Sequence, residues 1–444
     1  MASLKPLLLI CLSVCLFGIS EQTESKYAEK LLLVSMDGFR WDYLDKFDTP
    51  NFDKFAKNGV KVDYMNNSFV TKTFPNHYTI VTGVYPETHG IVENRMYDPV
   101  LDAKFKLSTK GTAWWDQAEP IWCRVKRFNL TSATYFWPGS EVKINGIRPD
   151  RWLRYSRSTP FRKRVDDVID WFVNDAFNFI TLYFPEPDHT GHVYGLGSPE
   201  LNEKVEEMDG ILGYLMSKLE ETGLKDKVNV IVTSDHGMFP INVTHQVVDI
   251  YDYVNRSQIR RIPSRGPVAQ IQPVDGQTDA VVDQLSNVSH ITVYHKRDIP
   301  DRLHYKHNRR IMPVLVMADE GWLVTDNKKS LAGQTKYRST HGWDNCLMSM
   351  KSIFLASGPN FKKNARFSPI SNVDIYPLMC ELLGIPPGPT NGSLERVIDF
   401  IVEGTTPVIK ETTPMTDGST QVNSVTSVRI AWIVLLLGWI LTEF

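Results

Sequence analysis

Three short apolar runs in this chain each end abruptly in a carboxylate, and that repeated design constrains the fold more than any other feature. Residues 31–36 (Leu-Leu-Leu-Val-Ser-Met) run into Asp37 and Gly38. Residues 179–184 run into Pro185-Glu186-Pro187-Asp188, and residues 228–234 into Asp235-His236-Gly237. Runs of this length, rich in β-branched and aromatic residues, suit strands buried on both faces of a parallel sheet. A helical pattern lies between the last two: Val205, Met208, Ile211, Leu212, Leu215 and Leu219 recur mostly three and four apart, and Gly223 follows as a stop. Alternating strands and helices predict an α/β fold with a mixed, mostly parallel sheet flanked by helices. Such sheets bind ligands beyond the carboxyl ends of their strands, where Asp37, Asp188 and Asp235 fall.

Composition narrows the class. Hydrophobic residues make up 42% of the 444 and charged residues 23%, which is globular and excludes a disordered or collagen-like chain. Lys and Arg number 49 against 51 Asp and Glu, a net charge of −2. With no basic excess to neutralise a phosphate backbone, no nucleic-acid binding is expected.

One strand-terminal Asp would most simply be a helix N-cap. Three such ends, two of them with histidines nearby, point further. Asp188 and His192 stand four apart, a spacing that puts both on one face of a helical turn. Asp235 and His236 are adjacent and would face opposite ways on a regular strand, so the backbone must leave the strand there for both to meet one ion; Gly237 permits that. His341 is a further candidate, although spacing alone makes it an ordinary surface histidine. Carboxylate with imidazole, and no thiolate, suits zinc.

Between the first two runs lies Thr71-Lys72-Thr73-Phe74-Pro75-Asn76-His77. With Asp37-Gly38-Phe39-Arg40, His89-Gly90-Ile91-Val92, Glu186-Pro187-Asp188, Gly191-His192 and Ser234-Asp235-His236-Gly237, this text resembles the ectonucleotide pyrophosphatase/phosphodiesterase family of the alkaline phosphatase superfamily. The resemblance covers about residues 29–400. It implies an alkaline-phosphatase-like fold, two Zn2+ ions and a threonine nucleophile, Thr73. It further implies that Asp37, Thr73, Asp235 and His236 hold one ion, that Asp188, His192 and His341 hold the other, and that Asn94 contacts a phosphate oxygen.

A threonine hydroxyl is a poor nucleophile near neutral pH, so a metal must stabilise its alkoxide. A covalent phosphothreonine intermediate is therefore expected. A neutral Asn94, in place of the arginine that grips a dianion in phosphomonoesterases, suits a phosphodiester. In nucleotide-cleaving relatives an aromatic after the nucleophile and a tyrosine before Glu-Pro-Asp sandwich the base; Phe74 and Tyr183 occupy those positions. The resemblance thus implies a phosphodiesterase and nucleotide pyrophosphatase that acts on small nucleotides and releases nucleoside 5′-monophosphates. Two alternatives stay open: a choline-phosphodiester hydrolase, since aromatics also cage quaternary ammonium groups, and a catalytically silent surface glycoprotein.

The ends suggest a protein of the cell surface. Residues 1–20 read as a signal peptide, residues 29–400 as the catalytic domain and residues 401–427 as a Thr/Ser/Pro-rich stalk. Residues 430–441 read as a C-terminal hydrophobic anchor signal, too short to span a bilayer, which needs roughly 20 residues. A GPI signal fits this pattern, with a single-pass anchor as the other option. Six N-x-S/T sequons, at Asn66, Asn129, Asn242, Asn255, Asn287 and Asn391, fit a secreted route. Outside the signal peptide the cysteines are Cys123, Cys346 and Cys380, so at most one disulfide can form within the chain.

Overall fold

The computed structural model describes residues 30–333 and 336–402. The expected signal peptide, the anchor signal and nearly all of the stalk lie outside the described residues.

The three apolar runs become the strands Lys30–Met36, Phe179–Phe184 and Val228–Thr233, side by side and parallel at the centre of an eight-stranded sheet. Across the sheet the order is Ala365–Phe367, Gly59–Val62, Phe354–Ser357, Val228–Thr233, Lys30–Met36, Phe179–Phe184, Ser132–Tyr135, Arg151–Trp152. Phe354–Ser357 alone runs antiparallel to both its neighbours, so the sheet is mixed and mostly parallel, as expected. Alternate side chains of the first strand feed different cores. Leu31 and Leu33 pack into one hydrophobic cluster, and Leu32, Val34 and Met36 into another. This two-sided burial explains why the run is continuously apolar rather than alternating.

The expected helix forms over Pro199–Glu221. Ser198 caps it, its hydroxyl accepting the Leu201 N–H at 3.2 Å, and Pro199 occupies the first turn, where its missing N–H costs nothing. Val205, Met208, Leu212, Leu215 and Leu219 are buried along the face that packs on the sheet. Gly223, at φ +68°, then turns the chain out of the helical path.

A second layer was not legible in advance. Ile259–Ser264, Val268–Pro273, Val314–Ala318 and Ile291–His295 form a four-stranded antiparallel sheet, covered by the helix Thr278–Ser286 over its own apolar cluster. Among the described residues no helix is long and apolar enough to cross a membrane.

Candidate active site

Register decides the site. Ser35 lies level with Tyr183 on one side and Thr233 on the other, so all three central strands end at one edge of the sheet. The loops beyond them are tied together by backbone. The Asp188 N–H donates to the Asp37 carbonyl at 2.9 Å, and the Gly38 N–H donates to Asp235 Oδ1 at 3.1 Å. Gly38 has φ +68°, and a Cβ there would lie 2.7 Å from the Asp188 Cβ; only glycine allows both the turn and the approach. Gly237 is needed for a reason other than the expected freedom of turn. A Cβ on it would sit 2.0 Å from the Ser349 carbonyl oxygen, so space is the constraint.

Two trios of ligating side chains result: Asp37, Asp235 and His236 in one, Asp188, His192 and His341 in the other. The ligand atoms of each trio lie within 4.8 Å of one another. Asp188 and His192 share the helix Asp188–Tyr194, as their spacing predicted, with His192 Nε2 3.3 Å from Asp188 Oδ1. The strand Val228–Thr233 ends before Asp235, so the backbone does leave the sheet where both Asp235 and His236 must turn inward. His341 is buried, not superficial, and its ring stacks on His236 at 3.3 Å between centroids.

Three observations show that the trios fit divalent cations. Asp37 Oδ1, Asp188 Oδ1 and Asp235 Oδ2 are buried and accept no hydrogen bond among the described residues. Each of the three histidines spends Nδ1 on a backbone carbonyl: His192 on Ser339, His236 on Gly237, His341 on Thr71, at 2.8–2.9 Å. This fixes the tautomer and leaves the Nε2 lone pairs for a metal. Burial, with Asp235 and Asp188 nearby, pushes Asp37 up to about 7, the mark of carboxylates crowded together away from water. Burial, helped by His236 and Lys72, holds His341 well below its usual range and therefore neutral, the state that ligates.

Thr73 opens the helix Thr73–Thr82. Its hydroxyl stands 3.3 Å from His236 Nε2, beside the first trio. As the first helical residue it has a main-chain N–H without an intrahelical acceptor, at the end of a helix that favours anions. Asn94 comes to the same end: its Oδ1 accepts the Phe74 N–H at 2.9 Å, which leaves its NH2 as a free-facing donor.

The two aromatics expected around a base have different surroundings. Phe74 is half-buried against Phe105 and Trp115. Tyr183 is 8% exposed, its ring lies against His77, and its hydroxyl donates to Asp37 Oδ2 at 2.6 Å. Tyr183 is thus built in beneath the site, without the open face that stacking requires. The exposed aromatic beside it is Tyr155, 43% exposed and 6.3 Å away, which the motif reading passed over.

His77 was also missed. It lies one helical turn after Thr73, where i,i+4 spacing could have flagged it. Fully buried, it places Nδ1 2.9 Å from the Thr73 carbonyl and 3.3 Å from Asp235 Oδ2, while Nε2 meets the Ser35 hydroxyl at 2.8 Å. It ties the helix that Thr73 opens to the first trio.

Five sequon asparagines, Asn129, Asn242, Asn255, Asn287 and Asn391, are exposed, whereas Asn66 is half-buried and its Oδ1 accepts from Lys351 Nζ at 2.6 Å. Cys123, Cys346 and Cys380 are all free thiols, so the one disulfide the count allowed is not made.

Residues 31–344 match the family described as type I phosphodiesterase / nucleotide pyrophosphatase. The chain is 42% identical over 393 residues to bis(5′-adenosyl)-triphosphatase enpp4 of Xenopus laevis, covering 87% of this chain and 84% of that one. It is 41% identical over 380 residues to human ectonucleotide pyrophosphatase/phosphodiesterase family member 5, covering 84% and 78%. Among solved structures, murine ectonucleotide pyrophosphatase/phosphodiesterase 5, as an inactive threonine-to-alanine variant in complex with AMP, superposes with TM-score 0.80 at 42% identity, covering 84% of this chain and 100% of that one. The silent-glycoprotein alternative falls with these relatives, and the protein, a phosphoric diester hydrolase of alkaline-phosphatase-like fold with nucleotide pyrophosphatase/phosphodiesterase activity, belongs to the ectonucleotide pyrophosphatase/phosphodiesterase family.

Proposed function

We propose that the protein cleaves phosphodiester and pyrophosphate bonds of extracellular nucleotides with Thr73 as nucleophile, releasing a nucleoside 5′-monophosphate. The observation that carries this reading is the Thr73 hydroxyl, held at a helix N-terminus 3.3 Å from His236 Nε2. Two Zn2+ ions are the proposed cofactors, one on Asp37, Thr73, Asp235 and His236 and the other on Asp188, His192 and His341. When bound, they supply the charge that favours the threonine alkoxide and offsets the phosphate oxygens.

The chain's own groups do the rest. Thr73 Oγ1 attacks phosphorus as the bond to the leaving oxygen breaks, giving a phosphothreonine ester. Water then cleaves that ester, restoring the hydroxyl and freeing the monophosphate. The Asn94 NH2 and the Thr73 N–H donate to the oxygens on which charge develops. Phe74 and the exposed ring of Tyr155 are the faces offered to a base, and stacking on them tolerates any base. Relatives described as bis(5′-adenosyl)-triphosphatases support dinucleoside polyphosphates as substrates.

Thr73→Ala is expected to lower AMP release by several orders of magnitude while the protein keeps its zinc, counted by mass spectrometry of the metal. Activity within about threefold of wild type would remove Thr73 from this role. The signal-peptide and anchor-signal patterns read in the sequence support, as part of this proposal, a location on the extracellular face of the plasma membrane. Release from cells by phosphatidylinositol-specific phospholipase C tests a GPI anchor; a mature chain that still contains Trp432 and Trp439 excludes it.

A further inference from the structure

Next to Thr73 lies a cavity of about 410 Å³ that the reading above leaves unused. Its lining starts beside Thr73, with Lys72, Asn94 and Arg95. It continues along the small antiparallel sheet, past Ser264 at a strand end, to Val324 and Leu331. Neither Phe74 nor Tyr155 lines it, so it is distinct from the faces offered to the base of the transferred nucleotide.

Its chemistry is graded. Near Thr73 it carries two cations against one carboxylate: Lys72 Nζ rests on the His341 carbonyl at 2.6 Å, Arg95 is exposed and forms no salt bridge among the described residues, and buried Glu93 offsets part of their charge. Deeper along the small sheet, Arg265 is neutralised by Asp326 at 2.5 Å, and apolar Val324 and Leu331 join the lining. Further along, on the small sheet, Ser264 keeps a buried hydroxyl with no hydrogen-bond partner among the described residues. A pyrophosphate leaving group would use the cations and leave the apolar and hydroxyl-binding part unmatched. A phosphate chain ending in a nucleoside uses both, and the volume falls in the range of small-ligand sites.

We propose that this cavity receives the leaving half of a dinucleoside polyphosphate, its phosphates against Lys72 and Arg95 and its nucleoside against the small sheet. The proposal rests on the nucleotide-hydrolase reading above. Its test compares AMP release from diadenosine triphosphate, whose leaving group carries a nucleoside, with release from ATP, whose leaving group is pyrophosphate. Ser330, exposed at the rim, takes a bulky side chain without disturbing the core. Ser330→Trp is expected to lower kcat/KM for diadenosine triphosphate about 10-fold or more, with ATP held within about twofold. Arg95→Ala is expected to lower both. Equal effects of Ser330→Trp on the two substrates, or none on either, would overturn the assignment. A crystal of Thr73→Ala protein with diadenosine triphosphate decides it without turnover: the second nucleoside found elsewhere refutes it. Wild-type protein that releases AMP from neither substrate would sink the hydrolase reading alone, and the crystal would still decide the cavity.

Discussion

Tyr183→Phe separates two roles for one residue. The tyrosine hydroxyl donates to Asp37 Oδ2 at 2.6 Å inside the protein, and the other oxygen of that carboxylate accepts no hydrogen bond among the described residues. Phenylalanine keeps the ring against His77 and opens no cavity, so the change removes one hydrogen bond to the buried carboxylate of Asp37, a proposed zinc ligand, and little else. A hydrogen bond to a charged group is worth about 1.5–3 kcal/mol, or about 10- to 150-fold. Loss of a partner behind a metal ligand commonly costs 10- to 100-fold in metal affinity, and the two estimates agree. Asp37, already pushed up to about 7 by burial and by Asp235 and Asp188, would rise further, so that a proton competes more strongly with the metal for its carboxylate. Competition against a chelator of known affinity measures the zinc dissociation constant directly. The expected result is zinc held at least about 10-fold more weakly, with activity restored by excess zinc and the nucleotide KM at saturating zinc near wild type. Wild-type zinc affinity with a raised KM for nucleotides would refute this reasoning and return Tyr183 to the base.

Further outcomes can be checked on purified protein. Gly38→Ala forces an alanine to φ +68° with its Cβ 2.7 Å from that of Asp188, so a loss of roughly 2–4 kcal/mol is expected, read as a lower urea midpoint together with weaker zinc binding. His89 is buried, and burial pushes it down to about 3; its Nδ1 accepts the Ile91 N–H, so the folded state holds it neutral. As pH falls from about 6.5 towards 3 the unfolded chain takes up a proton that the folded one refuses, and stability drops by up to roughly 1.4 kcal/mol per pH unit. The urea midpoint of His89→Gln should therefore approach that of wild type as the pH is lowered from 7 to 5, and parallel curves would contradict the assignment. Of the three described thiols Cys346 is exposed, whereas burial pushes Cys123 and Cys380 up, Cys380 to about 12. A thiol reagent should label Cys346 fast in the native protein and the other two only after unfolding.

The sequence by itself determined the central architecture and pointed to the candidate site. Short, mostly apolar runs suit strands buried on both faces of one sheet, and strands that end at a common edge would bring Asp37, Asp188 and Asp235 together, as they do. Local spacing also fixed what a helix fixes: Asp188 beside His192, and the buried stripe from Val205 to Leu219. The tertiary structure decided what depends on residues far apart in the chain. His341 is drawn from beyond the small sheet into the second trio by the Thr71 carbonyl, 270 residues away, and no local pattern encodes that contact. Tyr183 sits where a stacking residue was expected, but register places its hydroxyl on Asp37, and a side chain already committed to a buried carboxylate is not free to cover a base. The antiparallel sheet of residues 259–318 escaped notice because its strands carry Arg260, Arg261, Gln270 and Gln272 among the apolar residues, and only pairing shows which face each one takes. Periodicity records which side chains are buried along one segment. Which segments meet, and which polar atoms they leave unsatisfied at the meeting point, is settled by packing alone.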